Sequence, residues 1–492
     1  MKRTTKPAVL AAALTLIYSG IGISIPSFWV DEAATISAVD RSFADMMRMT
    51  QSIDAVHAFY YVLINAWTAV FGLSETALRF PSLLAVSAAA GLLVAIGRRL
   101  AGTTYGLVAA LLFVVLPRTQ YVATDARSYA LALLFAVLAT YFLVRIREHP
   151  SGRLWAGYAA AAMVATLLSL YAGLVFVAHV LTVLLDPVLR RRWKAVLALS
   201  PAWLIPTTTL AIIGASQQFQ ISWIRPIDGS VFFEVAFFQF FTDAYMLLDG
   251  KPVPEHTPFE SVSMYGLAAV MWTLAAAGAV RSRRHFLVKL ALPLLVLPLI
   301  AVIGGSLVFG SPYYLPRYLS FLLPTLPLLA AALVPRPAEG RGPGTTSRQR
   351  AVVLLAVVVL ALPSYVGQRT EFGRSPLDDF RFVAQTLGDG ARPGDAVALL
   401  GDADLAQSAY PDSFAGLVDT TVGISAADWG RIYNQRFGLE ASEDRILQHD
   451  TVWLVHPAED DADEEILVSF GYEAEARFEG TGSAVVKFVR NG

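Results

Sequence analysis

The chain has 492 residues, of which 55% are hydrophobic and only 16% charged, and its formal net charge is -1 at pH 7. A mean hydropathy of +0.54 means that it carries more apolar surface than one soluble core could bury. The sequence has no cysteine, which excludes disulfides, thiolate catalysis and zinc–thiolate sites. The composition therefore predicts a polytopic α-helical membrane protein.

Long apolar segments separated by short polar stretches run from the amino terminus to about residue 366. The first superficially resembles a signal peptide, but no small-x-small cleavage site follows it, so we expect a retained anchor. In chain order, we predict about eleven membrane helices, at residues 7–25, 80–97, 104–121, 128–144, 154–169, 172–185, 195–215, 262–280, 286–309, 318–334 and 351–366.

Basic residues gather on one side of this arrangement. The amino-terminal segment and every second loop between the predicted helices together hold 20 of the 28 Lys and Arg residues in the first 366 positions. By the positive-inside rule these loops are cytoplasmic, which places the amino terminus inside a plasma (inner) membrane. Residues 1–366 are then predicted to form the transmembrane domain, and the carboxyl-terminal domain is extracytoplasmic.

The last quarter of the chain differs sharply in charge. Residues 367–492 contain 23 of the 39 acidic residues but only 10 of the 38 basic ones. This balance predicts a separate, soluble, water-facing domain and argues against nucleic acid as a partner. Helix-like and strand-like patches alternate within it, which predicts a small α/β domain, with helices at 379–387 and 463–470 and strands at 396–400, 451–456 and 484–489.

The first external loop, residues 26–79, is too long for a simple turn. Residues 42–49 and 57–71 show apolar side chains at helical spacing with polar interruptions, which predicts helices lying in the membrane interface. The loop opens with an adjacent carboxylate pair, Asp31 and Glu32, just after the first apolar segment. Acids beside a membrane helix cost free energy unless they meet a cation, a polar ligand or water, so the pair suggests a site.

Several other charged side chains fall on the same external face in this topology. The predicted topology places Asp31 and Glu32 on the same side of the membrane as five residues that are far apart in the sequence. This coincidence predicts one shared polar cavity. The further members are Asp54, His57, Asp125, Arg127 and Arg317.

Four sequence blocks resemble those of the GT-C membrane glycosyltransferases. They read FWVDEAATISAVDRS, DAVHAFYYVLINAWTAVFGLSETALRFPSLLAV, TDARSYALALLFAVLATYFLVR and SPYYLPRYLSFLLPTLP. The protein O-mannosyltransferases and bacterial aminoarabinose transferases are the branch that they resemble most. This resemblance implies a GT-C-like fold and an enzyme that moves a sugar from a polyprenyl-phosphate donor to an acceptor hydroxyl at the outer face. The acceptor would be a glycan, a glycolipid or a protein.

The resemblance also implies roles for the acids. A neutral hydroxyl is a weak nucleophile, so glycosyl transfer needs a base near the acceptor, and the family places it at the first acid of this motif. We therefore predict that Asp31 is the catalytic base and that Glu32 orients the acceptor, supports Asp31 or holds a cation. The reaction is predicted to invert the sugar. A solvated carboxylate that caps a helix is the structural alternative.

A cation is expected to face the phosphate of the leaving group, whose negative charge grows as the sugar departs. Arg317 is the first candidate, because a guanidinium offers a forked set of donors to phosphate oxygens. Arg127 and His57 are further candidates for the same role. Asp54, Asp125, Tyr314 and Tyr318 are predicted to support the substrate or the local structure.

Asp54 and His57, three residues apart, could share one helical face, and Asp125 could cap the helix that follows it. The sequence has no compact metal-binding motif. We therefore predict a reaction without a cofactor, with a divalent cation as the alternative.

Two alternative functions remain at this point. A transporter or flippase for polyprenyl-linked lipids would also place charged residues in a polytopic protein, although no paired repeat of broken helices is visible. A non-catalytic carbohydrate-binding membrane protein is the other. The abundance of Ala, Val and Arg and the style of the motifs favour mannose or arabinose as the sugar, on an envelope glycan.

Overall fold

The computed structural model describes residues 5–243, 246–248, 251–253, 255–334, 347–459 and 461–490. The chain divides into two compact units. The first, called here the helical unit, contains the amino-terminal segment up to Ile23 together with Ala55–Tyr60 and Arg79–Gln368. The second, called the mixed unit, contains Ser24–Asp54, Tyr61–Leu78 and Arg369–Gly492.

Long apolar helices dominate the first two thirds of the chain. Within the described residues, five are long and apolar enough to cross a membrane, and the number rises to eight if each of three bent pairs is one span. The five are Glu75–Ala101, Tyr129–Glu148, Pro258–Arg281, Phe286–Phe309 and Arg348–Gly367. The bent pairs are Thr103–Val115 with Pro117–Ala123, Trp193–Leu199 with Pro201–Ser216, and Pro316–Leu322 with Thr325–Leu333.

The prediction of a multi-pass helical membrane protein is confirmed, whereas the count of eleven spans is not. Each predicted segment contains a helix, but three are too short for the same criterion: Lys6–Gly20, Gly152–Leu168 and Gly173–Leu185 have 15, 17 and 13 residues. The sharpest break has a local cause. Leu116 is extended, with ψ of 129°, because a residue that precedes proline is pushed out of the helical region, and the chain turns by 74° there.

Shorter elements connect these helices. The first external loop contains helices at Val30–Val39, Phe43–Ser52 and Ala58–Phe71 and a 3₁₀ turn at Ala55–His57, so the two helices predicted in this loop are present. The other short elements are Leu170–Ala172, Pro187–Arg190, Gln218–Ile221, Val231–Phe233, Glu234–Phe238, Gln239–Phe241, Ala331–Leu333 and the paired strands β1 (Met246–Leu248) and β2 (Lys251–Val253).

A five-stranded mixed sheet forms the core of the mixed unit. In chain order its strands are β3 (Ala396–Leu399), β4 (Val418–Asp419), β7 (Thr451–Pro457), β8 (Tyr472–Glu479) and β9 (Ser483–Arg490), and β5 (Val422–Ile424) pairs separately with β6 (Gln435–Arg436). The spatial order is β4-β3-β7-β9-β8. Strand β3 is parallel to β4 and β7, while β9 is antiparallel to β7 and β8.

Helices accompany this sheet, so the carboxyl-terminal region contains both element types that the sequence predicts. They are Phe380–Gly390, Ala403–Ala409, Pro411–Phe414, Ala426–Trp429, Glu440–Ser442, Glu443–Ile446 and Ala462–Ser469. Strand residues Val452, Leu454 and Val486 are fully buried and pack with Leu467 of the last helix. Strand β7 is buried continuously over residues 452–456, as expected for a central strand that is covered on both faces.

The mixed unit also includes most of the first external loop. The backbone N–H of Phe28 donates to the Tyr410 hydroxyl at 3.1 Å, and the Ser37 hydroxyl donates to the carbonyl of Ile432 at 2.6 Å. Arg381 forms an ion pair with Glu75 at 2.8 Å. The division at Gln368 lies close to the predicted boundary at residue 366, but the loop residues group with the carboxyl-terminal region.

Candidate functional site

The carboxylate pair lies in the first turn of the helix Val30–Val39, called here the acidic helix. Acidic side chains are favourable at that end because the helix dipole and the free N–H groups are positive there. Glu32 is fully buried and Asp31 is partly buried. Trp29, in the N-cap position, offers no side-chain cap. Instead, the backbone N–H of Val30 donates to the carboxylate of Asp378 at 3.0 Å.

Asp54 follows the helix Phe43–Ser52 and its C-cap residue Ile53, in the same unit. Its φ of 57° is in the left-handed region, which Asp tolerates better than most residues. Its carboxylate is buried and accepts a hydrogen bond from the Tyr61 hydroxyl at 2.6 Å. Since the 3₁₀ turn begins only at Ala55, Asp54 is outside the helix. The face that it was predicted to share with His57 therefore does not form.

In the helical unit, His57 and Arg127 are neighbours although 70 positions separate them. Nη2 of Arg127 lies 3.1 Å from Nε2 of His57, and Nδ1 of His57 lies 3.4 Å from the Ser128 hydroxyl. A guanidinium can only donate, so Nε2 accepts and the neutral ring carries its proton on Nδ1. His57 thus orients the guanidinium of Arg127.

Aromatic rings link this pair to Arg317. The His57 ring packs edge-on against Tyr129, with centroids 6.5 Å apart, and Tyr129 lies 6.2 Å from Tyr318. The guanidinium of Arg317 lies 5.8 Å from the Tyr318 ring and 5.5 Å from the ring of Trp223. Arg317 is only 3% exposed. Two buried guanidinium groups and their rings thus form one group, called here the cationic cluster: His57, Arg127, Tyr129, Trp223, Arg317 and Tyr318.

A hydrogen-bonded loop fixes the backbone around Arg317. The Tyr314 hydroxyl donates to the side-chain oxygen of Gln239 at 3.2 Å. The amide group of Gln239 in turn donates to the carbonyls of Pro316 and Leu319 at 3.1 and 3.3 Å. Tyr314 therefore supports the turn and Tyr318 contacts the guanidinium, while their predicted roles toward substrate stay predictions.

Asp125 is buried in the helical unit, at 1% exposure. The helix that follows begins at Tyr129, with Ser128 in the N-cap position and no side-chain cap. Asp125 is therefore not the N-cap residue itself, and its predicted capping role stays a prediction. Its backbone carbonyl accepts a hydrogen bond from Ser82 at 2.6 Å, which fixes the segment that presents Arg127.

The structure brings together Arg127, His57, Arg317 and Tyr318 of the predicted residues, all in the helical unit. Asp31, Glu32 and Asp54 belong to the mixed unit. Sequence reasoning did not find Asp378, because nothing in the sequence joins it to a helix almost 350 positions earlier. It also missed Tyr129, which looks like an ordinary aromatic residue at the start of an apolar helix.

A second buried cation of the helical unit was also missed. Arg118 is fully buried, donates to the carbonyls of Phe238 and Asp243, and lies 5.2 Å from the ring of Tyr121. Arg317 is among the charges that act on it. A basic residue inside a predicted membrane segment was the signal that could have found it.

Metal binding has little structural support in the parts of the chain that the structure describes. No group of three or more His, Asp or Glu side chains is arranged there to hold an ion. The prediction of a reaction without a cofactor stays a prediction.

One protein-family model matches part of the chain. Residues 47–216 match the family model of the dolichyl-phosphate-mannose-protein mannosyltransferases. The match covers His57 and Arg127 and ends before Arg317. No curated protein matches the sequence significantly.

Solved structures extend the likeness to the whole chain. ArnT from Cupriavidus metallidurans in the apo state is 16% identical, with a TM-score of 0.60 and 97% of each chain covered. The chain has the GT-C fold. ArnT bound to undecaprenyl phosphate gives a TM-score of 0.54 at 15% identity, with 98% of each chain covered.

A third similar structure is that of the archaeal oligosaccharyltransferase AglB from Archaeoglobus fulgidus, in complex with an inhibitory peptide and a dolichol-phosphate. Its TM-score is 0.50 and its sequence identity to this chain is 10%. It covers 97% of this chain and 74% of AglB. The resemblance to GT-C proteins that the four sequence blocks indicated is thus confirmed at the level of fold.

Proposed function

We propose that this protein is a membrane glycosyltransferase that moves a sugar from a polyprenyl-phosphate donor to an acceptor hydroxyl at the outer face of the plasma membrane. Mannose or arabinose is the sugar we favour, and an envelope glycan, a glycolipid or a protein is the acceptor. The observation that carries the proposal is the cationic cluster, which keeps two guanidinium groups buried in a protein of GT-C fold.

Burial of a guanidinium in a helical membrane protein is costly, and such residues usually face a functional cavity. A phosphate is a suitable ligand, because a planar fork of N–H groups matches its oxygens. ArnT has been solved with undecaprenyl phosphate and AglB with a dolichol-phosphate, which supports a lipid-linked phosphate as the ligand. Arg317 is our first candidate for contacting it and Arg127 the second.

In the proposed reaction, Asp31 removes the proton of the acceptor hydroxyl while its oxygen forms a bond to the anomeric carbon of the sugar. The bond between that carbon and the phosphate oxygen breaks, and the electron pair leaves with the polyprenyl phosphate. Attack opposite the leaving group inverts the anomeric centre. Glu32, buried beside the base, orients it or the acceptor, and the guanidinium groups stabilise the charge that develops on the phosphate.

The test is Asp31→Asn, which keeps the shape of the side chain and removes its basicity. We expect transfer from polyprenyl-phosphate mannose or arabinose in membranes to fall at least ~100-fold, the usual lower limit for loss of a general base. Binding of polyprenyl phosphate should be unchanged. Asp40→Asn is the matched control, since Asp40 is an exposed acid at the other end of the acidic helix.

Full transfer by Asp31→Asn would reject Asp31 as the base. The rival functions give different results in the same membranes. Translocation of polyprenyl-linked lipid without any transfer by the wild-type protein would indicate a flippase. Binding of carbohydrate without either activity would indicate a non-catalytic protein.

A further inference from the structure

The amino-terminal end of the acidic helix is capped by a residue from the opposite end of the chain. The first N–H groups of a helix lack partners within it, and Trp29 cannot supply one from its side chain. Asp378 accepts the hydrogen bond from Val30, one residue before Asp31, and is itself only 8% exposed. This hydrogen bond fixes the position and orientation of the first turn of the acidic helix.

The segment that carries Asp378 is held firmly on both sides. The neighbouring carboxylate of Asp379 accepts hydrogen bonds from the backbone of Gly482 and Ser483 at 3.0 and 3.1 Å. Arg381 donates to the carbonyls of Ile25 and Pro26 and pairs with Glu75. The carboxylate of Asp378 is thus held in position relative to the chain that leads into the acidic helix.

Asp378 also lies among negative charges. Burial is the main reason that the pKa of its carboxyl is raised to about 7; the charges of Asp402 and Asp31 act in the same direction, and the hydrogen bonds from Val30 and Ser375 oppose them. Arg381, three residues further along the chain, is paired with Glu75 and donates to a backbone carbonyl. Asp378 therefore changes charge near neutral pH, beside Asp31.

We propose that Asp378 is a positioning residue that holds the acidic helix in place and increases the basicity of Asp31. This inference rests on the function proposed above, because it assigns Asp378 an effect on the base of that reaction. When ionised, Asp378 makes a stronger, charge-assisted hydrogen bond to the helix. Its negative charge also favours the protonated form of Asp31, which makes Asp31 a better proton acceptor.

The rate constant for transfer should increase as Asp378 loses its proton. Below the titration of Asp378 its carboxyl is neutral, and Asp31 is the weaker base. As the pH rises through 7, Asp378 loses its proton and the rate constant kcat should rise to a plateau. The affinity for the donor should not change, since Asp378 acts through the helix and not on the lipid.

The experiment measures kcat and KM for transfer from polyprenyl-phosphate mannose or arabinose by the full-length protein in vesicles. The pH is varied from 5.5 to 8.5, about 1.5 units on either side of 7. Asp378→Asn keeps an acceptor for Val30 but cannot ionise, so it should lose the inflection near pH 7 and remain about tenfold below wild type at high pH, the effect of one pKa unit. Asp378→Ala should lose kcat further, at unchanged KM.

Two more variants separate this effect from a general loss of structure. Asp402→Asn removes a neighbouring negative charge and should move the inflection to lower pH. Asp412→Asn changes an exposed acid of the same unit and should leave the profile as in wild type. An unchanged inflection in Asp378→Asn, or an unchanged kcat in Asp378→Ala, would overturn the proposal.

A measurement without turnover distinguishes failure here from failure of the proposed function. The infrared carbonyl band of a protonated, buried carboxylic acid should disappear as the pH rises through 7 in wild type and should be missing from Asp378→Asn. If Asp31→Asn kept full transfer, the proposed function would fail whatever this band showed. If transfer depended on Asp31 but the band did not depend on Asp378, the proposal for Asp378 alone would fail.

Discussion

Arg317 shows how much a single side chain depends on its surroundings. The sequence predicted a guanidinium at the end of an apolar segment, and the structure shows it buried and within 6 Å of the rings of Trp223 and Tyr318. Such rings stabilise a cation through their negative faces. A lysine at this position would provide the charge but neither the fork nor the flat surface for stacking.

We expect Arg317→Gln to weaken binding of polyprenyl phosphate by about 10- to 100-fold, because a hydrogen bond to a charged group contributes roughly 1.5–3 kcal/mol. Arg317→Lys should recover part of the affinity. The measurement is equilibrium binding of polyprenyl phosphate to purified protein in detergent. Arg283→Gln, at an exposed arginine, serves as the control, and equal affinity of Arg317→Gln and wild type would contradict the assignment.

At the scale of elements, close helix packing depends on glycine. Gly97, in the helix Glu75–Ala101, faces Gly106 of the next helix so closely that a Cβ on Gly97 would lie 2.4 Å from the Cα of Gly106. Small residues let the backbones of membrane helices approach, which is how such helices gain packing energy without a hydrophobic effect between them. The hairpin between these helices depends on this contact.

Gly97→Ala should therefore destabilise the helical unit by about 1–3 kcal/mol, the usual cost of an overpacked interface. Gly304→Ala is the matched control, since no atom lies within 4 Å of its added Cβ. That change removes a helical glycine and should be neutral or stabilising by up to about 1 kcal/mol. Thermal unfolding of both variants in the same detergent is the measurement, and equal Tm values would show that the glycine contact is unimportant.

At the scale of the whole molecule, the mixed unit is assembled from three separate pieces of chain. The acidic helix and its neighbours contact the carboxyl-terminal residues through Tyr410, Ile432 and Asp378. Arg41 adds hydrogen bonds to the carbonyls of Ala426 and Arg431. The carboxyl-terminal region is therefore part of the support of the acidic pair and more than an appended soluble domain.

Deletion of residues 369–492 should expose the first external loop to proteases, because the loop loses the partners that bury it. We expect tryptic cleavage after Arg41 to accelerate at least ~10-fold, as it would for a loss of about 1.4 kcal/mol or more in local stability. Cleavage after Arg153, an exposed site in the helical unit, should keep its rate. Protection of Arg41 in the shortened protein would show that the loop folds without the carboxyl-terminal region.

Much of the architecture was predictable from local pattern. Apolar runs located the long helices, and in the mixed unit the predicted strand at 451–456 corresponds to Thr451–Pro457. Strand β8 was missed because half of its residues, in the sequence YEAEARFE, are charged and most are exposed. The count of eleven spans stays a prediction, because three of the predicted segments contain helices of only 13 to 17 residues and three others are bent, as at Pro117.

Sequence alone determined the membrane-spanning character, the acidic carboxyl-terminal region, the GT-C resemblance and the identity of the charged residues worth examining. These follow from composition and short-range order, since hydropathy and charge accumulate along a chain whatever its final shape. Tertiary structure alone decided that His57 orients Arg127, that aromatic rings connect them to Arg317, and that Asp378 caps the acidic helix. Each of those contacts joins residues tens to hundreds of positions apart, and a hydrogen bond a few ångströms long exists only after the folded backbone has brought both partners together.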